Sequence, residues 1–286
     1  MKAAFLGPEG TFSEEALFAA VDRAQVEPVP LPTIYDCVLA VQERRVDRAF
    51  VPIENSLEGS VSATLDALVF ETHEVRISGE VVHPVQHSLV ARSRLPLDAI
   101  QRVVSHPQAS AQCARFLRER LANAEVVAAA STADAVRLVA DTEAPWAALG
   151  TRLSAEIYKC EVLLEGVEDH PENETRFVWL SHASEGSAPP QPGPRFKTSV
   201  VFWGLPDTPG ALVQVLQEFA VREVNLSKIE SRPLKQGLGR YIFFADLHGS
   251  AVDEPVREAL AATEARVDTL RVLGSYPAAG TTAGTG

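Results

Sequence analysis

Up to about residue 182 the chain alternates short apolar, β-branched runs with stretches whose apolar residues recur at helical spacing. "KAAFLG" at 2–7 precedes a helix over 13–24, "RAFVPI" at 48–53 one over 61–70, and "RVVSHP" at 102–107 one over 108–120. "EVVAAA" at 125–130 precedes a helix over 132–140, and "WAALG" at 146–150 one over 152–158. Such alternation predicts α/β units on mostly parallel sheets. "TRFVWLS" at 175–181 reads as a strand returning to the first sheet, which divides the region into two lobes, about 1–77 with 166–182 and about 78–165, with a cleft between them. "ASEGSAPPQPGPR" at 183–195 has four Pro, two Gly and no apolar periodicity, and is read as a linker. Behind it the order changes to strand 197–204, helix 210–222, strand 225–232, strand 239–248, helix 253–264 and strand 267–275. That is βαββαβ, an antiparallel sheet with two helices on one face. A unit of about 80 residues buries a core only marginally, so its open sheet edge is expected to pair with another copy. The small, polar stretch 278–286 is expected to be disordered.

At 286 residues with 46% apolar composition, the chain is expected to form two or three compact globular units. A net charge of −12 disfavours a phosphate-tracking surface, so no nucleic-acid partner is expected. No run of about eighteen uncharged apolar residues occurs, and the first residues lack the pattern of a signal peptide, so a cytoplasmic location without membrane contact is expected. Cys37, Cys113 and Cys160 lie far apart without C-x-x-C spacing and read as buried, reduced thiols.

Three strand-to-helix junctions carry candidate chemistry. In "GPEGTFSEEAL" at 7–17, Thr11 or Ser13 can cap the helix, or the free N–H groups there can bind a substrate carboxylate. "VPIENSLEGSV" at 51–61 ends a buried strand in Glu54, Asn55 and Ser56, where open α/β sheets place ligands. "VVSHPQASAQCARFL" at 103–117 repeats the design with Ser105 and His106, then Gln108 and Gln112 on one helix face. His106 is either a turn residue or an acid–base group. His83 and His87 sit four apart, but Pro84 between them argues against a helical metal pair. No nucleotide-binding Gly-rich loop and no G-x-S-x-G elbow is present.

Taken in order, "GPEGTFSEEAL", "VPIENS", "SHPQASAQC", "DHPENETRF", "GALVQVL" and "NLSKIESRP" resemble monofunctional prephenate dehydratase with a C-terminal ACT regulatory domain, over nearly the whole chain. The resemblance implies a catalytic domain over 1–182 whose two lobes are similar to type II periplasmic binding proteins, the linker at 183–195, and an ACT domain over 196–277. It implies a homodimer or homotetramer and no metal or organic cofactor. The reaction implied is loss of carbon dioxide and water from prephenate to give phenylpyruvate, on the route to L-phenylalanine. By the same resemblance Thr175 is the catalytic residue and Asn55, Ser105 and Gln112 assist; the helix start at Thr11 and Ser13 is expected to bind substrate. Glu54 is a rival proton donor. Arg176 offers a fork for a carboxylate and Phe177 a surface for the ring, although Arg176 could instead pair with Glu174 or Asp169 and Phe177 could be core. In the ACT domain, Asp207, Asn225 and the backbone of Gly210, Ala211 and Leu212 are expected to hold the effector L-phenylalanine. Leu212, Val213 and Leu226 would line its side-chain pocket, and Glu230, Ser231 and Arg232 the second half; without the resemblance, Glu230 and Arg232 read equally well as solvent-facing charges. Lys159 stands where Gly is common in the family. Two other functions remain open: arogenate dehydratase, and a non-catalytic amino-acid sensor, against which Thr175 together with Asn55, Ser105 and Gln112 speaks.

Overall fold

The computed structural model describes residues 1–184 and 196–279; the linker from 185 and the tail from 280 lie outside the described residues. The chain forms two compact units, one of residues 1–65 and 81–177, the other of residues 66–80 and those from 178 onward.

The first unit carries two sheets. β1 (Lys2–Leu6), β2 (Glu27–Leu31) and β3 (Arg48–Asn55) run parallel. The order in this sheet is β2-β1-β3-β11-β5, with β5 spanning Val75–Pro84 and β11 spanning Glu174–His182. The "TRFVWLS" strand therefore does return to the first sheet, and both β5 and β11 run on into the second unit. β4 (Gly59–Ser60) folds back against the end of β3. The second sheet is ordered β10-β6-β9-β7-β8, with β6 Ser88–Ala91, β7 Arg102–Ser105, β8 Glu125–Ala128, β9 Trp146–Gly150 and β10 Glu161–Glu165. β7 lies parallel to β8 and β9, while β6 and β10 are antiparallel additions.

The helices form where caps and periodicity agree. α6 (Thr132–Ala140) starts at Ser131, whose hydroxyl accepts the Asp134 N–H at 2.9 Å, and buries Ala135, Val136 and Val139 against Val90, Val104 and Ala148. α7 (Arg152–Tyr158) starts at Thr151 in the same way and ends at Lys159, which takes the left-handed conformation with φ 56°. A Cβ disfavours that region by about 1–2 kcal/mol, which accounts for glycine being common there in the family. The helix expected over 13–24 stops earlier: α1 is Phe12–Ala20, and Asp22 caps a separate 3₁₀ turn at Arg23–Gln25. The helix expected over 108–120 is two helices, α4 (Pro107–Gln112) and α5 (Ala114–Arg120), broken at the buried Cys113. The Asp169 carboxylate caps the second by accepting the N–H groups of Arg115 at 2.9 Å and Phe116 at 3.4 Å. The helix over 61–70 is α3 (Ser62–Asp66) followed by a wide π turn at Ala67–Glu71. α2 (Ile34–Gln42), capped by Thr33, and the proline-containing β2 escape the sequence reading.

In the second unit, β12 (Phe196–Trp203), α8 (Ala211–Ala220), β13 (Leu226–Pro233), β14 (Tyr241–His248), α9 (Glu254–Glu264) and β15 (Thr269–Pro277) follow the expected βαββαβ order. The sheet is antiparallel, β13-β14-β12-β15, over a core of Val200, Phe202, Val215, Phe219, Leu247 and Ala259. Segment 66–80 belongs to this unit. Asp66 pairs with Arg232 at 3.1 Å and Lys235 at 2.8 Å, Arg271 donates to the carbonyls of Leu68 and Val69 at the π turn, and the buried Glu80 carboxylate holds Lys197 at 2.7 Å. Burial raises the Asp66 carboxyl, but the hydrogen bonds from Lys235 and Arg232 outweigh it and leave it below the ordinary range. Among the described residues no helix is long and apolar enough to cross a membrane.

Candidate functional site

The carboxyl ends of β1, β3, β7 and β8 and the start of β11 open on one cavity of about 440 Å³ in the first unit. Of the residues expected to act, Thr11, Ser13, Asn55, Gln112, Thr175 and Phe177 line it, and so do His106 and Gln108. Three others do not. Ser105 is fully buried and its hydroxyl donates to the Leu149 carbonyl at 3.1 Å, linking two strands. Arg176 is 9% exposed and pairs with Glu54 at 3.0 Å, so each neutralises the other off the wall. The cause is strand geometry: successive side chains point to opposite faces, so Thr175 and Phe177 share the cavity face and Arg176 takes the other. Phe177 also stacks on Phe50 with ring centroids 5.0 Å apart, which makes it wall and core at once.

The start of α1 does not use the cap expected from sequence. Thr11 occupies the N-cap position, yet its hydroxyl donates back to the Leu6 carbonyl at 3.0 Å, and no side chain accepts from the first turn. Gly10, at φ +84°, makes the turn; its N–H donates to the buried Glu14 carboxylate at 2.5 Å, and a Cβ there would come within 3.0 Å of Ser154. The N-terminal residues of α2 and α6, through Ile34, Ser131 and Thr132, reach the same wall. Among the described residues lining the cavity there is no Lys, Arg, Asp or Glu. Anionic groups in it therefore meet helix starts, hydroxyls and amides rather than fixed cations.

Thr175 is tied to Asn55, whose Nδ2 donates to Thr175 Oγ1 at 3.0 Å. Asn55 Oδ1 in turn accepts the backbone N–H groups of Leu57 and Glu58, each at 3.0 Å. His106 Nδ1 accepts the Gln108 N–H at 3.3 Å, a capping use that supports its turn role. Sequence reasoning missed two members. Asn173, 1% exposed, bridges Asn55 and Gln112, and the alternation Asn173, Thr175, Phe177 was the signal that could have found it. His87, weighed only as a metal ligand, lines the cavity and faces Gln112 Oε1 at 3.0 Å. His83 instead approaches Glu15 at 3.5 Å, and no group of three or more metal-ligating side chains is found among the described residues.

Burial pushes the His87 imidazole below its ordinary 6.5, against the opposing Gln112 hydrogen bond and the Glu168 and Glu15 charges. The fold thus favours the neutral ring. Its contribution to stability is complete above pH 6.5 and is lost as pH falls through the lower folded-state value. The thermal midpoint should decline as pH is lowered below 6.5, and less steeply in His87→Gln, as scanning calorimetry across that range would measure. Burial also raises the Cys37 thiol to about 12 and lifts Cys113 as well, whereas Cys160 is half-buried, unlike the expectation of three buried thiols.

In the second unit a larger cavity of about 760 Å³ lies between the 203–208 turn, the start of α8 and the 234–243 hairpin. Asp207, Ala211 and Leu212 line it; Gly210, Val213, Asn225, Leu226, Glu230, Ser231 and Arg232 do not. Gly210 is the left-handed N-cap of α8, and Val213 is 65% exposed. Asn225 meets His248 at 3.3 Å, and Leu226 packs on the core. Ser231 is exposed. Arg232 is committed to Asp66, and Glu230 lies between Lys228 and Arg232, so neither is a free solvent-facing charge.

A cavity at strand ends, lined by neutral donors and aromatic surface, followed by a βαββαβ unit with a cavity of its own, defines an α/β protein with a small-molecule site and an appended second module. The comparisons narrow the class. The prephenate dehydratase family matches residues 3–185 and the ACT domain residues 198–265. A prephenate dehydratase from Mycobacterium sp. (strain JLS) is 40% identical over 98% of this chain and 90% of its own. The crystal structure of prephenate dehydratase in complex with L-Phe from Arthrobacter aurescens is 40% identical, covers 98% of this chain and 90% of that one, and superposes with a TM-score of 0.89. GqqA, described as a novel type of quorum quenching acylase, is 29% identical over 98% of this chain and 99% of its own, with a TM-score of 0.86. The chain belongs to the prephenate dehydratase family. It is accordingly a carbon–oxygen lyase of phenylalanine biosynthesis that converts prephenate to phenylpyruvate.

Proposed function

We propose that prephenate reacts in the 440 Å³ cavity, with Thr175 assisting the departing hydroxyl. The observation carrying this reading is the Asn55 Nδ2 to Thr175 Oγ1 bond. Because Thr175 accepts there, its own hydrogen is left to donate, and among the described residues its hydroxyl has no further partner. The reaction breaks the bond from the ring to its carboxylate, which leaves as carbon dioxide. Those electrons enter the ring as the C4–O bond breaks, and the hydroxyl leaves with its electron pair; it takes a proton through the Thr175 hydroxyl, a proton that solvent water replaces, and so ends as water. Aromatisation drives the step, so the protein has to orient the ring and stabilise charge on the departing oxygen. A threonine hydroxyl is too weak an acid to protonate the resting substrate; its hydrogen bond strengthens as the C–O bond lengthens. Phe177 and Phe12 give the ring apolar surface, and the uncapped start of α1 with Ser13 receives a carboxylate in the role first considered for Arg176.

The proposal includes a catalytic domain over 1–182, a linker and an ACT domain over 196–277, a division supported by the two family matches. L-Phenylalanine is the proposed effector, by likeness to the Arthrobacter aurescens complex. Exposed Val213 and Ile229, the latter on the edge strand β13, support pairing into a dimer or tetramer. A cytoplasmic location belongs to the same proposal. L-Phenylalanine should lower turnover and raise the thermal midpoint. Phenylpyruvate formation should be faster from prephenate than phenylalanine formation from arogenate, both followed on purified protein. Preference for arogenate moves the substrate to the amino-acid form, and no effect of L-phenylalanine on either quantity removes the effector.

A further inference from the structure

The cavity contains a train of amides that continues beyond Asn55, and each member fixes the direction of the next. The two N–H groups received by Asn55 Oδ1 belong to the backbone and can only donate, so this amide has one orientation and its Nδ2 faces Asn173 Oδ1 at 2.8 Å as well as Thr175. Asn173 therefore turns its Nδ2 the other way, toward Gln112 Oε1 at 3.3 Å. That oxygen, an acceptor only, also lies 3.0 Å from His87 Nε2, so the imidazole proton sits on Nε2.

We propose that His87 is a positioning residue for the elimination: its Nε2–H shares Gln112 Oε1 with Asn173 Nδ2 and so holds the Gln112 amide in one orientation on the wall beside Thr175. The inference rests on the reading of Thr175 given above. Its physical content is directional. A side-chain amide turned by half a rotation exchanges its O and N at almost no steric cost, so only hydrogen bonds decide its orientation. Besides Asn173 and His87, the Gln112 amide meets Glu58, at a marginal 3.5 Å from its Nε2. Without the imidazole N–H a turned Gln112 presents its Nε2 to the Nδ2 of Asn173, donor against donor. Asn173 does not turn to relieve this, because its Oδ1 receives both Asn55 Nδ2 at 2.8 Å and the Ser56 hydroxyl at 3.3 Å. The conflict therefore falls on Gln112, which loses its set place on the wall beside Thr175. His87 is itself firmly held, being 1% exposed, with its ring edge-on to Phe12 at 5.0 Å and its backbone N–H donating to Glu168 at 2.8 Å. Burial favours the neutral ring.

The test uses the full chain and the rate of phenylpyruvate formation from prephenate, with Thr175→Ala measured alongside. His87→Phe keeps a ring but no donor and should lower kcat by roughly 10- to 100-fold, with KM changed by less than about threefold. In His87→Gln the side-chain Nε2 can reach the position of the imidazole Nε2, and kcat should return to within about fivefold of wild type. His87→Asn, whose amide is too short to reach Gln112, should behave like the Phe variant and replaces it if that protein does not fold. Equal impairment of the Gln and Asn variants, wild-type kcat in both, or a loss confined to KM would overturn the inference. If Thr175→Ala keeps wild-type kcat, the reading of Thr175 falls instead; if Thr175→Ala is crippled while His87→Phe or His87→Asn is normal, only the role of His87 falls.

Discussion

Thr175→Ala should lower kcat for phenylpyruvate formation by about two to four orders of magnitude, with KM within a few-fold of wild type. The substitution removes the one hydroxyl that receives the Asn55 N–H and has its own hydrogen to give. Substrate binding should survive, because the start of α1, Ser13 and Phe177 remain on the wall. Donation to the departing oxygen matters chiefly once the C–O bond has begun to break, so the loss belongs to kcat. Thr175→Ser keeps the hydroxyl but frees its rotamer, and should lose no more than about tenfold. The rates need correction for the acid-catalysed breakdown of free prephenate. Loss of less than about tenfold in the alanine variant would move the donor elsewhere, to His106 on the same wall before Glu54, whose carboxylate is already paired with Arg176.

Gly274→Ala should destabilise the second unit by about 3 kcal/mol, at the upper end of what overpacking costs. The added Cβ would fall on the Ile77 carbonyl and close to the Ile77 side chain, and a backbone oxygen cannot swing aside as a side-chain tip can. Gly274 lies in β15 opposite Ser199, beside the register shift between Ser199 and Val200. Denaturant unfolding followed through Trp179 and Trp203, both in this unit, should show an earlier transition. A midpoint equal to wild type would mean that β15 and β5 do not approach this closely.

Where local and tertiary signals coincide, the sequence was enough. α6 and α7 have their caps and apolar spacing within ten residues, and the βαββαβ unit announces itself by its order of periods. Elements whose stability comes from elsewhere were not legible. Pro28 and Pro30 disguise β2, which tolerates them because it is the edge of its sheet. The break at Cys113 depends on a carboxylate from Asp169, far along the chain, capping α5. Within the site, motif reading gathered Thr175, Arg176 and Phe177 together, and the pleat separates the middle one from its neighbours. The partnership of His87, Gln112 and Asn173 joins three segments that no local pattern connects.

The uncharged wall also bears on how a catalytic cycle ends. Prephenate enters with two negative charges, each needing N–H and O–H groups to replace its water. Phenylpyruvate leaves with one, its sibling having departed as neutral gas. A cavity built on fixed guanidinium groups would go on attracting the remaining anion over a long range, whereas oriented dipoles at helix starts act within about a turn of their target. With prephenate bound against this wall as proposed, the reaction dismantles half of its own anchorage, and the grip on the ligand weakens because the bond has been broken.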